Sequence, residues 1–306
     1  MAYGSQHSLW ITPEATYATT PATPTFAAVP LTKISGGASM TTLVDPTIRG
    51  DRQIAYVRNG AIGDKFDIGA VLRYGIYDSL IEAAACGDWT TNVLKPGVSY
   101  KSFSAERHHS DVSDKPYFRH TGMEISKLNF KVGKDSFVEA TFSCVAQDEN
   151  DAAAAISGAT YGSVNTADSP FDSFTCTINE GGSAIAVVQD FSIDIDNKLE
   201  ERRVVGSRLA LRPAKLLSDV QGTLQVYFEN AALFDKFKAS TFTSMSLTLT
   251  DSATNALAIT IPKLLFTGEV NRDVSGPGSI SASMKFQAIL DPVTGTNLNI
   301  TRTPHA

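Results

Sequence analysis

A mainly β fold is what this 306-residue chain predicts, on three observations. Apolar and polar residues alternate with period two, most plainly between Asp190 and Asn197, where Phe191, Ile193 and Ile195 interleave with Asp190, Ser192, Asp194 and Asp196. Charged residues make up only 19% of the chain, too few to solvate long helices, while Ser, Thr, Gly and Ala abound. Turn signals such as Glu180-Gly181-Gly182 and the run NRDVSGPG separate the alternating segments.

Residues 1–36 read as an extended N-terminal arm. Pro13, Pro21, Pro24 and Pro30 exclude a helix interior or a central strand, while Trp10, Ile11, Tyr17, Phe26, Val29 and Leu31 anchor the arm to a surface, a neighbour's included. Residues 37–147 read as a first repeat. Ser39–Ile48 suits a strand that Arg49-Gly50-Asp51 breaks, and 53–62 an irregular arm. In Asp64–Tyr74, Phe66, Ile68, Ala70, Leu72 and Tyr74 share one face and Lys65, Asp67, Gly69, Val71 and Arg73 the other. Asp78 is placed to cap a short helix with a Leu80, Ile81, Ala84, Ala85 stripe, closed by Gly87. Strands at Ile125–Val132 and Ser136–Ala146 follow, around Gly133-Lys134-Asp135. The span Thr90–His120 reads as a long polar loop, and 148–172, small and polar, as a linker.

Residues 173–306 run through the same order. A hairpin joins 174–178 to 183–188, and the strand at 190–197 leads to Asp219–Phe228, where Val220, Gly222, Leu224, Val226 and Phe228 oppose Asp219, Gln221, Thr223 and Gln225. Asn230 caps a helix striped by Leu233, Phe234 and Phe237, and a strand pair spans 256–269 and 279–290. Alternating strand, two-turn helix and strand pair thus occur twice, about 150 residues apart.

Chemistry-bearing constellations are sparse. His108, His109, Asp111 and His120 invite a metal, but adjacent histidines on an extended chain point to opposite faces, so no metal and no cofactor is expected. Regular alternation makes Asp190, Asp194 and Asp196 a charged wall rather than a pocket. Glu200, Glu201, Arg202 and Arg203 form a solvated run or bridge to a neighbour. The chain lacks GxSxG, P-loop, HExxH and GxGxxG motifs, so an enzyme is not expected. Cys86, Cys144 and Cys176, odd in number and without CxxC spacing, read as free thiols. A net charge of −6 disfavours tight nucleic-acid binding. The first residues lack a basic region and an apolar run, and no stretch approaches the roughly 20 apolar residues of a membrane helix. Synthesis in a cytosol without a membrane anchor is expected.

The runs FSIDIDNKLEERRVVGSR, DVQGTLQVYFENAALFDKF and LAITIPKLLFTGEV resemble tail tube proteins of bacteriophages with long non-contractile tails. So do SFSAERHHSDVSDKPYFRHTGMEISKLNF, KDSFVEATFSCVAQ and PEATYATTPATPTF. The resemblance implies β-sandwich units with flanking helices, whose inner hairpins join across subunits into a barrel around a DNA channel, in rings that stack. It implies a virion protein that partners itself, the tape-measure protein and other tail proteins, with DNA only in non-specific transit. On this reading Asp67, Asp190, Ser192, Asp194, Asp196, Asp219, Gln221, Thr223 and Gln225 face the lumen. An acidic or neutral wall is expected, although Lys65 and Arg73 share Asp67's face. Trp10, Tyr17, Phe26, Arg107, His108, His109, Glu200, Glu201, Arg202 and Arg203 are the candidates for contacts between subunits or rings. Two repeats per chain imply three chains in a pseudo-sixfold ring, against six chains otherwise. Alternatives are a terminator or distal tail ring, the inner tube of a contractile machine, or a carbohydrate-binding sandwich, for which Trp10 and Trp89 lie far apart.

Overall fold

The computed structural model describes residues 3–166, 168–272, 274 and 277–304. Period-two segments become strands that bury one face each, and their polar faces stay half-open to solvent. In chain order the first half holds β1 (His7–Pro13), β2 (Thr25–Ala28), β3 (Lys33–Val44), β4 (Val57–Val71), helix α1 (Asp78–Ala85), β5 (Val93–Leu94), β6 (Phe103–His109), β7 (Tyr117–Gly133), β8 (Glu139–Ala146), β9 (Asp148–Ala152) and β10 (Thr160–Tyr161). The second holds β11 (Thr177–Glu180), β12 (Ser183–Ala184), β13 (Val188–Asp196), β14 (Glu200–Arg202), β15 (Leu211–Ala214), β16 (Asp219–Tyr227), α2 (Ala232–Lys238), β17 (Thr243–Thr250), β18 (Ala256–Asn271), β19 (Ser281–Ala288) and β20 (Asn299–Thr303).

The strand order repeats. β3 pairs with β4, β4 with β8 and β8 with β7, all antiparallel. β13 then pairs with β16, β16 with β19 and β19 with β18, again antiparallel. Each half is the same four-strand sheet, with the short helix after its second strand. The two sheets are joined edge to edge: β7 pairs with β13 from Lys127–Asp196 to Gly133–Asp190. Ile125, Lys127, Leu128 and Phe130 of β7 recur at the same spacing in β18 as Ile261, Lys263, Leu264 and Phe266. The result is eight adjacent strands whose apolar side chains feed one core running from Phe66 and Phe142 through Phe130 and Phe191 to Phe286.

Local chemistry explains several departures from the sequence reading. The helix at 78–85 is entered from Tyr77 with no side-chain cap. Asp78 sits in the first turn and pairs with Arg302. Cys86, at φ 52°, takes the left-handed terminal position expected of Gly87, whereas Gly87 is required by close approach, since a Cβ there would lie 2.1 Å from the Lys95 carbonyl. In the second helix Asn230 Oδ1 accepts from Ala232 N at 3.0 Å, although Ala231 is the capping residue. β4 is continuous from Val57, so the stretch 53–62 is largely the outer half of a long hairpin with β3.

The N-terminal arm is woven in. β1 lies between β2 and β6, and Pro13 is tolerated because it ends the strand. Glu14 holds the following turn by accepting from Ala18 N, Ser102 Oγ, Ser104 Oγ and Gly122 N at 2.8–2.9 Å. The stretch 148–172 contains β9, paired with β7, and β10, paired with β2, so it packs on the first half as structure rather than spanning as a tether. Most of the polar stretch 103–120 is the β6–β7 hairpin. In the run NRDVSGPG, residues 273, 275 and 276 lie outside the described residues, as does 167 of the stretch 148–172.

Candidate functional site

The polar side of the eight adjacent strands is one continuous surface that the repeat creates. On β13, Asp190, Ser192, Asp194 and Asp196 stand across from Gln225, Thr223, Gln221 and Asp219 of β16. On the other side of β13 they face Gly133, Lys131, Asn129 and Lys127 of β7. The same face continues through Thr141 and Ser143 of β8 to Asp67 of β4, which lies between Ser143 and Ser35 of β3. Beyond β16 it continues through Ser283, Lys285 and Gln287 of β19. All nine residues expected to share a wall therefore lie on one side of one sheet. Phe191, Ile193, Ile195, Val220, Leu224 and Val226 point the other way and are buried.

Its electrostatics are balanced rather than acidic. Asp194 accepts from Asn129 Nδ2 at 2.8 Å and lies 3.1 Å from Lys127 Nζ. Lys198 bridges Asp196 at 2.9 Å and Asp219 at 3.2 Å, and its hydrogen bonds to the two carboxylates push its ammonium pKa up. Gln287 Nε2 donates to the second oxygen of Asp219 at 2.8 Å. Lys65 shares Asp67's face but leans onto Glu201 at 2.5 Å. Arg73 has left the sheet and donates to the Asp168 carbonyl. Lys127, Lys131 and Lys285 were missed by the sequence reading, which never joined β7 and β19 to the Asp-bearing strands. The alternation of ISKLNFKVG carried that signal.

The residues expected at contacts between subunits or rings also meet partners within their own chain. Phe26 is 2% exposed and stacks on Tyr161 at 5.2 Å; Trp10 packs edge-on against the same ring and donates Nε1 to the Gly162 carbonyl. Tyr17 lies under the Arg212 guanidinium, 5.2 Å from its ring centre. These contacts lie within one subunit, where Phe26 is buried and Trp10 and Tyr17 stay partly exposed. Arg107 reaches His7 Nε2 and the Gly36 carbonyl, His108 stacks on Tyr117 at 4.6 Å, and His109 meets His7 and Phe118 edge-on. Glu200 and Arg202 lie on β14, paired with β15, and Arg202 donates to the Arg212 carbonyl. Glu201 holds Lys65, and Arg203 donates to the Ile62 carbonyl at 2.9 Å. Within the chain, Glu201 and Arg203 thus tie the run to the first half.

His108, His109, Asp111 and His120 do not converge. Asp111 accepts from the Tyr3 amide, while the fully buried His120 Nδ1 faces the equally buried Asp64 at 2.7 Å. Glu149 completes the one group of potential ligands among the described residues, and its carboxylate accepts from Ala38 N at 2.6 Å. That cluster pins β4 to β7 and to the base of the long hairpin.

A family model described as phage tail tube protein matches residues 4–288. No curated protein sequence matches the chain.

Proposed function

Since the chain belongs to the phage tail tube protein family, a structural component of the virion tail, we propose that copies of it close into rings with the polar sheet face inward and that the rings stack into the channel through which DNA leaves. The observation that carries this is the eight-strand sheet with one hydrated, charge-balanced side and one side committed to the core. Closing such a sheet on copies of itself removes its exposed edges.

Geometry favours three chains. Strands about 4.8 Å apart and tilted about 40° span roughly 50 Å of circumference per eight-strand chain. Two chains then make a barrel about 32 Å across, leaving little more than 20 Å between opposing side chains, and three make one about 48 Å across. A duplex roughly 20 Å wide with its hydration fits the second and jams in the first. Because the strand order occurs twice per chain, a ring of three is pseudo-sixfold.

The wall's charge suits transit. Interleaved lysines cancel the carboxylates, so the lumen does not hold the phosphate backbone as a basic wall would. Before DNA enters, the same channel accommodates the tape-measure protein. The chain is made in the host cytoplasm and assembles there.

Electron microscopy of the purified protein tests the reading. Hollow filaments with threefold ring averages are expected. Rings that never elongate would indicate a terminator, and six full chains per ring would remove the duplication argument. A monomer at every concentration, with no rings or filaments, would overturn the tube reading.

A further inference from the structure

Three side chains with metal-ligating atoms meet where the long β3–β4 hairpin leaves the body of the chain. β7 and β9 are antiparallel neighbours with His120 directly across from Glu149, so both side chains leave the same face of that ladder. Ala105 of β6 lies across from His120, and Arg107, two residues on, shares the face. The face looks onto β4: the His120 ring packs on Phe66 at 4.5 Å, and Asp64 continues the buried row of Phe66 and Ile68. His120 Nδ1 and Asp64 Oδ2 are 2.7 Å apart. One ligand atom from each of Asp64, His120 and Glu149 lies within 4.8 Å of the other two.

Two features set this cluster apart from an ordinary buried pair. Asp64 and His120 are both 0% exposed, yet Asp64 Oδ1 and His120 Nε2 have no hydrogen-bond partner among the described residues. Buried polar atoms are nearly always satisfied. Asp64 Oδ1 shares its carbon with the oxygen that meets His120, so the orphan oxygen lies at the cluster itself. The charges are also uneven. Arg107 acts on both Glu149 and Asp64 but offsets only one of the two carboxylates, so a neutral His120 leaves net negative charge in a largely buried place.

The surroundings hold the third ligand in position. Glu149 Oε2 accepts from Ala38 N at 2.6 Å, beside the bend that β3 makes through Gly36 at φ 104° and Gly37 at φ 153°. A Cβ on Gly36 would lie 2.3 Å from the Lys65 carbonyl, and one on Gly37 would lie 3.1 Å from Glu149 Oε2. Only glycines let β3 pass this closely. Glu149 keeps partial contact with solvent, which gives an ion a way in.

We propose that Asp64, His120 and Glu149 bind one divalent transition-metal ion, zinc above all, and that the ion fixes the direction in which the β3–β4 hairpin leaves the sheet. One imidazole nitrogen with two carboxylate oxygens suits zinc, at bonds of about 2.0–2.2 Å, with a fourth position left for water. Calcium, which takes roughly six to eight oxygens, is poorly matched. The ion would tie β4, β7 and β9 together at one point and, through the Glu149 contact with Ala38, secure β3 as well. The site does not depend on the tube reading, since all three ligands belong to one chain.

Elemental analysis and melting curves of the full chain test this, with zinc chloride and manganese chloride as the probes after chelator treatment. Protein reloaded with zinc and desalted should retain about one ion per chain. Zinc at about a hundredfold excess over its dissociation constant should raise the melting temperature by about 5 °C, and manganese by less. Amide exchange across residues 38–60 should slow in the same samples. Glu149→Gln keeps an acceptor for Ala38 N but loses the charged ligand, so it should melt close to the metal-free parent and show no rise with zinc. His108→Gln, at a partly exposed histidine outside the cluster, should keep the full rise, which separates this site from zinc caught by surface imidazoles. Neither zinc nor manganese retained, with no rise from either, would overturn the proposal and leave a protonated His120 paired with Asp64. A rise undiminished in Glu149→Gln, or lost in His108→Gln, would overturn it too by putting the ion elsewhere.

Discussion

Arg212 Nε lies 2.6 Å from the carboxylate of Glu124, a group no solvent reaches, and this pair fastens the second half's connection into the first half. Burial raises the Glu124 pKa, and the Arg212 hydrogen bond opposes that rise. Removing the guanidinium leaves the buried carboxylate without its hydrogen-bonded partner and with only the nearby Lys215 charge to offset it, which costs about 3–5 kcal/mol for a fully buried pair and nearer 3 here because Arg212 is 31% exposed. Arg212→Ala should therefore lower the urea midpoint sharply. Arg212→Leu with Glu124→Gln should recover more than half the loss, whereas equal losses from both variants would show that the charge is not what matters.

Gly222 is fixed by close approach. A Cβ there would lie 2.2 Å from the Ser192 carbonyl and 2.3 Å from the Phe286 ring, which faces Gly222 across β19 and stacks on Phe191. Gly222→Ala should cost about 3 kcal/mol by overpacking. Adding Phe286→Leu should return part of it, since the ring but not the carbonyl can give way. Thermal melts of the three variants measure this, and an unchanged Gly222→Ala would mean that β16 and β19 sit farther apart than this packing has them.

Much of this was legible in the chain because period two reports burial directly. Phe191, Ile193 and Ile195 against Asp190, Ser192 and Asp194 placed both faces of β13 before any pairing was known. What alternation cannot report is which strands become neighbours. Lys127 and Lys131 were readable as polar positions of a strand, yet their role beside Asp194 and Ser192 depends on β7 meeting β13, a contact about sixty residues apart in sequence. The arm misled for a related reason. Its prolines argued against a central strand, but they fall at the end of β1 and between strands, where no ladder amide is needed. His120, read as part of a polar loop, lies where β7 crosses over Asp64, and no local pattern marks such a crossing.

Acid should loosen the β1–β6 corner. Burial, then His109, Arg107 and His108, pull the His7 pKa from 6.5 to about 4, and Arg107 donates to its Nε2. Above pH 6.5 the ring is neutral folded or unfolded, and this stability is fully present. As pH falls from 6.5 to about 4 the unfolded chain takes up the proton first, so stability is lost through that window. The full shift corresponds to about 3 kcal/mol, reduced to the order of 1 by the ring's partial solvent contact. His7→Gln should flatten the fall in melting temperature between pH 7 and pH 4.5 by a few degrees; an identical slope would mean other groups set it.

The polar face offers the sharpest functional prediction. Asp190 and Asp194 stand beside Lys131 and Lys127, so replacing both aspartates with lysine converts a balanced patch into a basic one, by about a dozen charge units per ring of three. If this face lines the channel, Asp190→Lys with Asp194→Lys should still assemble, because neither carboxylate is in the core. Its tubes should bind duplex DNA with an affinity that falls steeply as salt rises from 50 to 200 mM, and virions carrying them should eject DNA more slowly. Asp114→Lys, on the exposed β6–β7 turn, is the matched control and should leave ejection unchanged. Unaltered ejection from the double variant, with the control equally silent, would put the face outside the channel, since a basic lumen cannot be indifferent to a polyanion moving through it.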